Sequence, residues 1–247
     1  MLEIFMSDIH YNYEDPAAMK LARRIIRHLK PDSIFLGGDI IDCAAISRFV
    51  KAPIDSLSLQ DEFDYAHGKL KQLREESPGA VIQYLDGNHE ARLNKYLCSN
   101  AKELHSLRDL NIPRQLQLAD LDIEHHPYMS KVKVGKLWHV HGDMLGSGPN
   151  IARTVYMKVQ TSIIFGHHHK IGMHFETPLG KPTSCAIANG TLARLDPEWL
   201  IHPAWQQGLT LVDYSPSGYF HAEPVVFFRQ GSKIIANVRG KEFSGDV

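Results

Sequence analysis

The chain has 247 residues, 43% apolar and 22% charged, with a formal net charge of −1; that suits one large domain, 1–247, with ample surface to bury a core. The near-neutral balance argues against a strongly basic nucleic-acid binder and against an acidic solvating tail. Three cysteines without metal-type spacing (Cys43, Cys98 and Cys185) argue against a disulfide scaffold, and no apolar run reaches the roughly 18 residues of a membrane span.

From the amino end, Leu2 to Met6 reads as a strand. Asp15 before Pro16 is a helix start, a carboxylate cap followed by proline at the first helical position. Leu21, Ala22, Ile25, Ile26 and Leu29 continue it as one apolar stripe. Ser33 to Leu36 is a second strand. Leu59, Phe63, Ala66, Leu70 and Leu73 repeat at helical spacing and mark a core-packing helix. Ser77-Pro78-Gly79 ends it, and Ala80 to Leu85 forms a third strand. Val132 to Val134 and Leu137 to Val140 flank Gly135-Lys136 as a hairpin, and Ser162 to Phe165 is a short buried strand. Leu209 to Tyr214 and Tyr219 to Phe228 flank Ser215-Pro216-Ser217-Gly218 as a second hairpin. Alternating strands and helices followed by antiparallel strands imply a mixed α/β (α+β) sheet system with helices outside.

The residues just beyond the apolar runs carry the chemistry. They read Ser7-Asp8-Ile9-His10, Gly37-Gly38-Asp39-Ile40-Ile41-Asp42, Asp86-Gly87-Asn88-His89-Glu90, His141-Gly142-Asp143 and Gly166-His167-His168-His169. Open α/β sheets build sites beyond the carboxyl ends of strands, and glycine there lets the backbone approach an ion closely. The donors are imidazoles, carboxylates and one amide, a set suited to Mn, Fe, Zn, Ni or Co. They are too many for one ion, and a carboxylate can bridge two.

Taken together, Asp-x-His, Gly-Asp-x-x-Asp, Gly-Asn-His-Glu, His-Gly and Gly-His-x-His resemble the calcineurin-like metallophosphoesterases over residues 8–169. The stretch Ala91 to Leu97 is more loosely similar to phosphoesterases of bacteriophages. The resemblance implies a four-layer α-β-β-α sandwich with two mixed sheets. It also implies two divalent metal ions, Mn foremost. Asp8, His10 and His169 would hold the first with Asp39, which bridges to a second held by Asn88, His141 and His167. A bridging hydroxide would attack phosphorus, His89 would protonate the leaving group, and Asp42 would orient His89.

Other residues are weighed beside these. His139 lies on the same strand face as His141; the glycine after His141 favours the latter, leaving His139 as a supporting or buried polar group. His168 alternates away and is expected at the solvent or substrate edge, His125-His126 in a solvated loop, Cys43 as a small buried thiol. Trp199 and Trp205 are expected to cover the core rather than stack a base. Segments 43–58 and 143–152 are expected to rim the cleft.

The phosphoprotein phosphatase branch carries arginines where this chain has Cys43 and Asp86, so the grip on a dianionic monoester is weaker. Arg92, one turn beyond His89, is the substrate-facing cation of choice, while Arg48, Arg153 and Lys170 flank motifs. The expectation is a cytoplasmic phosphoester hydrolase leaning to phosphodiesters. A nuclease acting on nucleic acid and a phosphomonoesterase are alternatives, as is a non-catalytic interaction scaffold. The sequence carries no signal for oligomeric state.

Overall fold

A computed structural model of the protein describes residues 1–48, 57–196 and 203–246. Its first sheet is built from β1 (Leu2–Met6), β2 (Ser33–Leu36), β3 (Val81–Leu85), β4 (Ile123–His126), β10 (Gly208–Tyr214) and β11 (Phe220–Val226). They lie in the order β11-β10-β1-β2-β3-β4. Strands β1 to β4 pair in parallel, whereas β10 is antiparallel to both β1 and β11. The second sheet holds β5 (Val132–Val134), β6 (Leu137–Val140), β7 (Ile163–Phe165), β8 (Gly172–Glu176) and β9 (Ser184–Ala188). Its order is β5-β6-β7-β9-β8, with β6, β7 and β9 parallel and both edge strands antiparallel.

Three apolar layers hold four structural layers together. Strand alternation divides β1: Ile4 and Met6 face the helices, while Phe5 faces the second sheet. On the outer side lie α1 (Pro16–Leu29) and α2 (Leu59–Glu76), which bury Leu21, Ile25 and Ile26, and Phe63, Ala66 and Leu70. Between the sheets, Phe5, Phe35, Leu85, Leu137, Ile164, Ile187 and Val212 form a second core. Beyond the second sheet, α5 (Ile151–Val159) packs Ile151, Val155 and Tyr156 on Phe165 and Ala186. Each such fully buried large side chain contributes about 1.5–3 kcal/mol. The sandwich is therefore the expected one, a mixed α/β fold with mixed sheets.

Local chemistry explains the elements. Asp15 accepts the backbone N–H of Ala17 and Ala18 at 3.0 Å each, with Pro16 at the first helical position, so α1 starts where a cap was expected. Ser58 caps α2 by accepting from Asp61. The structure adds α3 (Ala91–Asn100) and the single turn α4 (Ile112–Gln115).

Two expectations are corrected. His125 and His126 do not lie in a solvated loop; they end β4, the edge strand of the first sheet, half-buried and paired with Asp86 at 3.0 Å and Gln83 at 2.9 Å. The run after Tyr219 is not one strand. Beyond β11 the chain enters a separate antiparallel sheet of β12 (Phe228–Gln230), β13 (Lys233–Val238) and β14 (Lys241–Asp246). Its Ile234, Ala236, Val238 and Phe243 join the core that α1 seals. Among the described residues, no helix is long and apolar enough to cross a membrane.

Register decides where the motifs go. Met6, Leu36 and Tyr84 are paired neighbours, as are Val140, Phe165 and Ala188 in the other sheet. Strands that end level place their following turns at one height. The motifs thus converge at one end of both sheets.

Candidate metal centre

The turns after β1 and β2 hold each other through Asp8 N–H to Gly38 O (2.9 Å) and His10 N–H to Asp39 O (3.0 Å). Asp8, His10, Asp39, His167 and His169 all adopt positive φ, between 50° and 67°. Five left-handed non-glycine residues in one place is costly backbone, and such strain concentrates at functional sites. Gly87 and Gly166 allow the closest approaches: a Cβ on Gly87 would lie 2.2 Å from Asp39 Oδ1, and one on Gly166 would lie 2.4 Å from Asp8 Oδ2.

Three groups of converging side chains result, two on the metal-type motifs and a third, His10 with Asp42 and His89, beside them. In the first, Asp8 Oδ1 lies 3.3 Å from His169 Nε2, which lies 3.4 Å from His10 Nε2. In the second, His141 Nε2 lies 3.2 Å from Asp39 Oδ2 and 3.0 Å from Asn88 Oδ1, with His167 completing the group. The donor set fits divalent ions on physical grounds. His141 Nδ1 donates to Gly37 O at 3.0 Å, so when the ring is neutral its Nε2 lone pair points toward two further acceptors. Three lone pairs converging on one point call for a cation. In addition, the Nδ1 atoms of His167 and His169 are buried without a hydrogen-bond partner.

The electrostatics agree. Burial disfavours the charge on Asp39, yet the fields of His141 and His89 outweigh it and hold the carboxyl well below its ordinary range. Asp8 is also lowered, burial being overcome by the charge and hydrogen bond of His169. Burial likewise opposes protonation of His141, but Asp39 pushes it up to about 10, the proton standing where a cation would. Burial and the neighbouring His141 lower His167.

Asp42 belongs to the third group. Its Oδ1 is hydrogen-bonded to His10 Nδ1 at 3.2 Å and lies 2.8 Å from His89 Nδ1, an ion-pair contact outside hydrogen-bond geometry. His89 reaches back toward Asp39, with Nε2 3.8 Å from Oδ2, while its backbone N–H donates to Asp39 Oδ1 at 2.9 Å. Arg92 donates to Asp42 O at 2.7 Å, and its Nη2 lies 3.0 Å from His89 Nε2. A guanidinium only donates, so His89 Nε2 accepts there and the Nδ1 proton faces Asp42. Arg48 and Arg153 are exposed, and Lys170 donates to Gly148 O at 3.4 Å.

The remaining expectations divide. His139 is a buried polar group, fully enclosed between the sheets with its Nε2 2.7 Å from Glu3 Oε1. Cys43 is buried. His168 is half-buried with its ring against Phe165, outside the ligand groups, and burial lowers its pKa to about 4. Trp205 does not join the apolar core. It is half-buried with its ring centroid 4.3 Å from that of His169. Trp199 and the part of segment 43–58 from residue 49 to 56 lie outside the described residues.

Three supports were not anticipated. Glu90 accepts the backbone N–H groups of Asp39, Ile40 and Ile41, and Glu62 accepts those of Asp42 and Ala44. Thr191 Oγ1 donates to Asp8 O at 2.7 Å. Asn189-Gly190-Thr191 comes directly after the apolar end of β9, so a sixth strand-end signal was present in the sequence. A glutamate on an apolar stripe, such as Glu62, was the signal for the second support.

The sequence model described as calcineurin-like phosphoesterase matches residues 4–171. The Gene 54 proteins of Mycobacterium phages D29 and L5 are 26% and 25% identical over 178 residues, 69% of this chain and of each of theirs. Among solved structures, Vps29 of Chaetomium thermophilum is similar at 12% identity with a TM-score of 0.48, covering 100% of this chain and 97% of that one. Vps29 of Entamoeba histolytica complexed with zinc gives 11% and 0.45, covering 100% and 98%. The phosphoesterase Yfce of E. coli gives 13% and 0.42, covering 96% and 92%. The match through all five strand-end motifs establishes that this chain belongs to the calcineurin-like phosphoesterase family.

Proposed function

We propose that the protein is a dinuclear metal-dependent phosphoester hydrolase that favours phosphodiesters. The observation that carries the reading is the convergence of lone pairs on two adjacent points, one beside Asp8 and one beside Asp39. Asp8, His10 and His169 would hold one ion and Asn88, His141 and His167 the other, with Asp39 shared. Divalent ions held there would supply Lewis acidity toward phosphoryl oxygens and would lower the pKa of water toward neutrality.

The chain's own side chains do the rest. His89 donates a proton from Nε2 to the leaving oxygen, and Asp42 fixes the ring through Nδ1. Arg92 turns its Nη2 hydrogens from His89 to a phosphoryl oxygen as substrate enters, which frees Nε2 for the proton. The lean toward diesters rests on the cation count. Cys43 is buried and uncharged, and Asp86 faces His125, so neither position supplies a guanidinium. A diester carries one negative charge and needs less cationic help than a dianion.

Turnover of bis(p-nitrophenyl) phosphate and of p-nitrophenyl phosphate, each with added Mn, tests this directly. The diester is expected to be the better substrate, and His89→Ala to lower turnover of diphenyl phosphate, whose phenolate leaving group needs a proton, by about 10²–10⁴-fold. Full activity in chelator, or in His89→Ala, defeats the mechanism; preference for the monoester defeats the diester assignment alone.

A further inference from the structure

Six consecutive backbone N–H groups, from Asp39 to Ala44, end on two buried glutamates. Glu90 takes the first three, at 3.0, 2.8 and 3.2 Å. Glu62 takes the next three: Asp42 at 2.8 Å and Cys43 on Oε1, Ala44 at 3.0 Å on Oε2. Glu90 belongs to a strand-end motif. Glu62 belongs to none; it comes from the first turn of α2, buried beside Phe63 at 1% exposure.

A carboxylate is expensive to bury unless its oxygens are fully hydrogen-bonded. Among the described residues its oxygens accept from one turn alone, which has little regular structure of its own: Cys43 has φ 49° and precedes only a short 3-10 turn, Ala44–Ile46. That turn carries Asp42, whose carboxylate lies 2.8 Å from His89 Nδ1 and 3.2 Å from His10 Nδ1. The line of contact therefore runs from α2 through one carboxylate to a backbone turn, then through a second carboxylate to the imidazole.

We propose that Glu62 is a positioning residue for the reaction, holding the Asp42 turn so that His89 stays aimed at the leaving oxygen. This rests on the reading of His89 as proton donor. Glu62 touches neither substrate nor metal; it acts through Asp42.

Leaving-group dependence separates this role from simple support of the fold. Diphenyl phosphate expels a phenolate that needs the proton more than p-nitrophenolate does. Glu62→Ala is expected to lower kcat on diphenyl phosphate by about 10–100-fold, the range for supporting partners, and on bis(p-nitrophenyl) phosphate by about tenfold less. Glu62→Gln keeps an acceptor for Asp42 and Cys43 but turns an N–H toward Ala44, so the same selective loss is expected in smaller measure. If Glu62→Ala does not fold, Glu62→Gln alone decides the matter. A second arm needs no turnover: in metal-free protein, the His89 Nδ1 proton resonance, assigned by comparison with His89→Gln, is expected to broaden or vanish in the Glu62 variants. Equal losses on both diesters, or no loss, with an unchanged His89 resonance would overturn the proposal. Wild-type protein that hydrolyses neither diester with any divalent ion would sink the hydrolase reading instead, and the resonance would still decide the role of Glu62.

Discussion

The two walls of the centre differ in kind. The six-stranded sheet contributes every carboxylate of the clusters, Asp8, Asp39 and Asp42, together with His10, Asn88 and His89. The five-stranded sheet contributes imidazoles alone, His141, His167 and His169. One wall therefore carries the negative charge and the other supplies neutral donors that close over it. The supports divide the same way: Glu62 and Glu90 clamp the charged wall through its backbone, whereas His141 is oriented from behind, its Nδ1 bonded to Gly37 O of the opposite sheet. Under the proposed reading, charge on one side would draw a cation in, and imidazoles on the other would complete its ligand set without adding repulsion between carboxylates.

Substitutions on the two walls should separate most clearly. Asp39→Ala removes the carboxylate proposed to be shared by both ions and takes away the acceptor that His141 faces. Loss of both ions and a rate loss of about a thousandfold or more are expected, beyond the 10–100-fold typical of supporting partners. His167→Ala should keep one ion and lose less activity. Metal content by elemental analysis with parallel rates checks this, and equal metal loss in both variants would erase the distinction between walls.

Arg92 offers a smaller, sharper test, because it lies on the charged wall yet bears the opposite sign. Arg92→Ala should raise KM for diesters by about tenfold, the worth of one charge-assisted hydrogen bond, while metal content stays unchanged. An unaltered KM would remove Arg92 from substrate contact.

The smallest expected effect is on stability. In metal-free protein His141 is held protonated up to about 10, because Asp39 overcomes the penalty of burial. A histidine raised in the folded state stabilises fully below its unfolded value, about 6.5, and that contribution disappears as pH rises through the folded value. In chelator, the melting temperature should fall by a few degrees between about pH 7 and pH 10, and His141→Gln should flatten that slope. A slope unchanged in the variant would place its origin elsewhere.

Much of this is legible in the residues. Asp15-Pro16 marks the start of α1, the four-three spacing from Leu59 marks α2, and each metal-type motif comes after a short apolar run. Those signals are local: a cap, a periodicity, a glycine beside a donor. The strand β4 is not legible, because Glu124-His125-His126 is polar and becomes a strand only by pairing with β3. The sheet of β12 to β14 escapes for a related reason, since its apolar residues are explained by α1, far away in the chain. A tryptophan flanking a hairpin is expected to cover the core, yet the ring beside Trp205 is that of His169.

By itself the sequence determined which atoms were available, carboxylates and imidazoles at strand ends, and therefore the class of chemistry. Only the tertiary structure decided which of two histidines on one strand face met the centre. His139 is enclosed with Glu3 between the sheets, and His141, two residues on, clears the end of β6. Alternation along a strand gives the face of a side chain, but depth along that face depends on where the neighbouring strands end. The same holds for Glu62, whose importance lies in a turn that α2 meets only after the chain has folded.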